Sequence, residues 1–119
     1  MINVTLKTSD CRFGGVGDWP SYDDIRVIDL GDEKHELLVA THELIEAQLC
    51  KYRGITPEEV DNFDSNFKGQ GEPGDDPNCP YYLEHQFATI VEMLLAKELG
   101  INFQNYLIAT NYIAGLNKE

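Results

Sequence analysis

Lys34-His35-Glu36-Leu37-Leu38-Val39-Ala40-Thr41-His42-Glu43-Leu44-Ile45-Glu46 is the stretch on which the fold turns. Apolar residues recur through it at helical spacing, and it continues without a breaker to Arg53-Gly54, a basic residue and then a glycine, which reads as a helix end. His42 and Glu46 are four residues apart and so stack on one helix face. At 100° per residue Leu38, Val39, Ile45, Leu49 and Cys50 cover one broad side, and His42 and Glu46 fall inside it. Gln48 and Lys51 mark the solvent side. A carboxylate on a core face is costly unless it is paired, hydrogen-bonded or bound to a metal. Glu46 and His42 therefore need partners, either each other with a tyrosine or backbone group, or an ion. Cys50, one further turn along, extends the polar track as an alternative ligand.

A second helix is expected from about Tyr81 to Leu99. His85 and Glu92 share a stripe there with Ala88, Thr89, Ala96 and Leu99, and the small residues allow close approach of another helix. His85 is the natural third ligand. Glu92 is a fourth ligand or an acceptor that holds a ring nitrogen, and Glu84 is rotated toward a flank. Two histidines and one carboxylate around a divalent metal, zinc first, leave room for a water. The ion lowers the pKa of that water to about 7, and Glu43 beside the first ligand is placed to accept its proton. The same ligand types suit iron or manganese.

Around these helices the chain reads as an α+β single domain, with a short N-terminal antiparallel β-hairpin packed on three to four helices. Ile2, Val4 and Leu6 alternate with polar residues, giving a strand over about 2–7 with one buried face. Ile25 to Leu30 forms a second strand. Cys11 to Pro20, with Gly14, Gly15 and Gly17, reads as the loop across which the two strands pair. Further helices are expected at 34–53, 57–67 and 103–114. The 57–67 helix starts with Thr56 as N-cap, Pro57 at the first position and Glu59 closing a capping box, and Val60, Phe63 and Phe67 line one side. The last is held by Tyr106, Leu107, Ile108, Tyr112 and Ile113. Residues 69–80 (GQGEPGDDPNCP) carry three glycines and three prolines in twelve positions and must be irregular. That segment also holds Glu72, Asp75 and Asp76. Asp61 and Asp64 are candidates to reach toward the histidines.

The 119 residues carry a net charge of −12, which argues against direct nucleic-acid binding. Such acidity serves solubility, or a basic or cation-rich protein partner. No apolar run approaches the ~20 residues of a membrane span. Three cysteines without CxxC spacing suit reduced thiols. With no signal-like start, the chain is expected in the cytoplasm. The substrate or protein partner and the oligomeric state are not given by these features.

Two strands followed by Leu38-Val39-Ala40-Thr41-His42-Glu43-Leu44-Ile45-Glu46-Ala47 resemble the core of small zincin-like metallopeptidases over Ile25 to Leu49. The resemblance implies His42 as first metal ligand, Glu43 as base, and Glu46 in the place of the second histidine. The wider pattern resembles small phage- and prophage-associated proteins of unassigned function. It rests on His42-Glu43, Glu46-Ala47, Leu49-Cys50, Gly54-Ile55-Thr56, Val60 to Asp64, Gly71 to Pro77 and Glu84-His85, and implies a viral or prophage context. Two other functions compete with a metal-dependent hydrolase. One is a non-catalytic accessory protein that binds a host or virion protein through its acidic surface. The other is a magnesium-dependent helical nucleotide pyrophosphohydrolase, which such enzymes suggest by pairing a Glu-x-x-Glu helix (Glu43, Glu46) with later acids such as Glu92.

Overall fold

The computed structural model describes residues 1–118, with side chains through residue 114. Three strands, β1 (Asn3–Thr5), β2 (Gly17–Ser21) and β3 (Asp24–Val27), precede four helices. These are α1 (Glu33–Tyr52), α2 (Pro57–Asn66), α3 (Tyr82–Glu98) and α4 (Phe103–Lys118), with a short 3-10 turn at Pro73–Asp75 between α2 and α3. The α+β architecture with an N-terminal sheet on helices is as expected. No helix among the described residues is long and apolar enough to cross a membrane.

The pairing of the strands differs from the expectation. The sheet order is β1-β3-β2. The two expected strands lie parallel, with Val4 opposite Ile25. The antiparallel hairpin is made instead by β3 with β2, which lies in the segment expected to be loop. Only Tyr22 and Asp23 separate β2 from β3, so antiparallel pairing is the only short closure. What holds β2 there is Trp19, buried in one apolar cluster with Ile25 of β3. Pro20 lacks an amide donor and sits where the register is interrupted between Asp18 and Ser21, on an edge strand that tolerates it. Ile2, Val4 and Leu6 remain exposed, so β1 has no buried face.

The helix ends follow local chemistry. The Asp32 carboxylate accepts from the Lys34 and His35 amides at the start of α1, and the Thr56/Glu59 capping box forms as expected. In α4, Tyr106 is buried but Ile108 and Tyr112 are exposed, contrary to the expected apolar contacts.

Helix α1 packs on α3 and on the inner face of β2 and β3. Two apolar clusters form between these layers. One gathers Trp19, Ile25, Ala47, Cys50, Val60, Cys79 and Tyr81. The other gathers Val27, Leu30, Leu38, Val39, Ala40, Ala96 and Tyr106. Along α1 the chain passes from the second cluster at Leu38 to the first at Cys50. Along α3 it passes from the first at Tyr81 to the second at Ala96, so the helices run in opposite directions. Ala88 and Ala96 are fully buried, the close approach their size permits. Between the two clusters both helices carry buried polar residues.

A buried histidine and carboxylate centre

His42, Glu46, His85 and Glu92 are each under 10% exposed and meet between α1 and α3. Three of their atoms converge. Glu46 Oε2 lies 3.1 Å from His42 Nε2 and 2.8 Å from His85 Nδ1. The two nitrogens are 3.2 Å apart. Metal bonds of about 2.1 Å set donor atoms about 3.4 Å apart at the tetrahedral angles of a zinc site, and about 3.0 Å apart at the right angles of an octahedral one. The triangle matches an octahedral face and would open by a few tenths of an ångström to seat a tetrahedral ion; without an ion the same three atoms are within hydrogen-bond distance of one another. The three expected ligands are the residues that the structure brings together.

Two of the three members are held from behind by a hydrogen bond. The His42 ring donates from Nδ1 to Glu92 Oε1 at 2.8 Å, leaving Nε2 directed into the triangle. Glu92 in turn accepts a short hydrogen bond from the Tyr106 hydroxyl. Glu92 thus holds a ring nitrogen, one of its two expected roles. The Trp19 indole N–H donates to Glu46 Oε1 at 2.9 Å, which turns Oε2 toward the histidines. A carboxylate behind a histidine fixes the tautomer and raises the basicity of the other ring nitrogen.

The electrostatics call for positive charge in the triangle. Burial works against a charged His42, but Glu46 and Glu92 outweigh it and hold its pKa well above the usual value. Burial likewise opposes charge on His85, yet contact with Glu46 and Glu72 pushes its pKa up to about 10. Burial would raise Glu46, and the two rings bring it down to about 2. Protons on the rings supply charge of this sign in the metal-free chain. One divalent ion carries charge of the same sign.

The irregular segment before α3 adds a second layer that sequence reasoning missed. His85 Nε2 lies 3.1 Å from Asp75 Oδ1 and 3.3 Å from Glu72 Oε2, both from exposed side chains. Gly74, between them, is buried against the ring, and a Cβ there would fall 2.4 Å from His85 Cγ. The acids and glycine of residues 71–76 were visible in the sequence. No periodicity said where they would land.

Glu43 is half-buried and lies against Gly17, where a Cβ would come within 2.8 Å of its carboxyl oxygen. It makes no hydrogen bond among the described residues, and burial, with Glu46 nearby, pushes its pKa well up. Cys50 does not join the polar track. It is fully buried in the Trp19 cluster, where burial pushes its thiol up. Cys79 lies in the same cluster, its sulfur accepting from the Tyr81 amide. Asp61 and Asp64 turn elsewhere, to Arg12 and to the Tyr81 hydroxyl. Glu84 is not on an open flank but buried and paired with Arg53 at 2.9 Å.

No family model, no curated protein and no solved structure matches this chain.

Proposed function

We propose that this chain is a metal-binding protein in which His42 Nε2, Glu46 Oε2 and His85 Nδ1 hold one divalent ion, zinc first. The observation that carries this is the triangle of three donor atoms 2.8–3.2 Å apart, with His42 and Glu46 fixed from behind by Glu92 and Trp19. Two imidazoles and one carboxylate also suit iron(II) or manganese(II). Three protein ligands leave a position for water, and the chemistry that follows is hydrolysis by ion-bound water. Glu43, the unbonded carboxyl beside this set, is the group to take up the proton.

Protein purified without added metal and analysed by elemental mass spectrometry should carry close to one transition ion per chain. His42→Ala and His85→Ala should each abolish it and lower the melting temperature. Unchanged metal content and melting temperature in both variants would refute the assignment. Zinc uptake at neutral pH should also release protons, because the ion takes the place of ring protons that Glu46 and Glu92 favour. Calorimetry in buffers of different ionisation enthalpy reads this directly, and zinc binding with no proton release would count against the triad.

A second function, protein binding with the cluster as a purely structural element, is favoured by one surface feature. Leu83, Phe87, Ile90 and Leu94 stand exposed along α3 at the i, i+4, i+7, i+11 spacing of a helix-docking stripe. Under it, zinc-treated and chelator-treated chains would melt at the same temperature.

A further inference from the structure

We propose that Glu72, Asp75 and the outward nitrogen of His85 form a second site for a divalent transition-metal ion, so that the His85 ring stands between two ions. The inner half of this pair rests on the function proposed above. The outer half rests on three observations of its own.

The first is an unsatisfied atom. His85 is 4% exposed, and its Nε2 makes no hydrogen bond. The oxygens of Asp75 and Glu72 lie 3.1 and 3.3 Å away as ion-pair contacts, without a hydrogen bond. The atom has two carboxylates beside it but no directed hydrogen bond, and a cation among these three atoms would bind all of them.

The second is the local backbone. Pro73–Asp75 is a 3-10 turn with Glu72 as its cap, closed by the Asp75 amide donating to the Glu72 carbonyl at 3.1 Å. Glu72, extended at the cap, and Asp75 at the end of the turn each bring a carboxylate oxygen to His85 Nε2. One ligand atom from each, with His85 Nε2, all lie within 4.8 Å of one another. The Gln86 side-chain amide donates to Asp75 Oδ1 at 3.1 Å and steadies it from α3.

The third is Gly74. It is buried, and a side chain there would collide with the imidazole, its Cβ 2.5 Å from Nδ1. Its absence lets the turn lie flat on the ring and hold both acids over the outer nitrogen. Their side chains are 64% and 59% exposed, so the outer site is open to solvent while the inner one is enclosed.

The donor set of two carboxylates and one imidazole suits zinc, manganese or iron over magnesium or calcium, which take oxygen alone. A neutral imidazole has one free lone pair. With both sites filled, the ring gives up its remaining N–H proton to solvent and binds one ion through each nitrogen. No electron is exchanged.

The test is zinc stoichiometry on the full-length chain, stripped with chelator, reloaded by dialysis and weighed by native mass spectrometry. The wild type should take up two zinc ions. Glu72→Gln with Asp75→Asn, both exposed and away from the core, should take up one, with affinity for the second ion reduced at least about 10-fold. One ion in the wild type and in that double variant would overturn the outer site and leave the inner one standing. One ion that is lost in the double variant but kept in His42→Ala would uphold the outer site and overturn the inner one. No zinc in any of these proteins would overturn both.

Discussion

Glu92 sits in a line of contacts that runs from the Tyr106 hydroxyl to the ring of His42. Its charge reaches the triad only through that ring, so its loss should weaken metal binding without removing a ligand. Glu92→Gln is expected to reduce zinc affinity by about 10- to 100-fold, read by competition with a chromophoric chelator. Gly74 offers the opposite case, where one added methyl group does the damage. Gly74→Ala should cost on the order of 1–3 kcal/mol from overpacking against His85, measured by urea unfolding. Asp64 makes a pH test. Burial pushes its pKa from 3.8 to about 6, against the pull of the Tyr81 hydroxyl. The folded state thus binds this proton more tightly than the unfolded one, so stability present at pH 4 is lost as pH rises through 6. Asp64→Asn should remove that loss and gain on the order of 1–3 kcal/mol over wild type above pH 6. A difference that stays constant from pH 4 to 7 would refute the assigned shift.

Among the elements, the helices are the ones whose limits are written locally. Thr56 accepts from the Glu59 amide and Glu59 reaches back to the Thr56 amide, so the start of α2 needs nothing from the rest of the chain. Thr56→Ala should cost ~1 kcal/mol, with little change in metal content. Strands behave differently. Gly17–Ser21 looks like loop because it is rich in turn formers, and it becomes β2 only because β3 lies beside it and Trp19 has a core to enter. Ile2, Val4 and Leu6 show the reverse. Their alternation was correct for a strand, but nothing covers that face. The 3-10 turn at Pro73–Asp75 was legible as irregular chain and no further, since its meaning lies in the ring it touches.

For the whole molecule, enclosing two histidines and several carboxylates between two apolar clusters ties the site to stability. The unfolded chain has no preformed triangle, so an ion bound there adds its free energy to folding. At one hundred times the dissociation constant the gain is ~2.7 kcal/mol, or about 10 °C for a domain of this size. Zinc should raise the melting temperature by that order and chelator should reverse it. The −12 charge adds a further expectation at this scale. Neutralising metal ions, rather than sodium salts at matched ionic strength, should give the larger shift if the site is the cause.

The sequence by itself determined the helices, the cap of α2, and the inward direction of His42, Glu46, His85 and Glu92. Helical periodicity and capping depend on residues at most four apart, and the small residues around His85 announced a close neighbour. Tertiary structure alone decided which atoms meet. It set Glu92 behind His42 and Trp19 behind Glu46, and it drew Cys50 into apolar surroundings. It also folded residues 72–75 over the outer nitrogen of His85. Those contacts join residues far apart in the chain. They are fixed by the packing of α1 on α3 and by the space that Gly74 leaves open, and no local pattern encodes either.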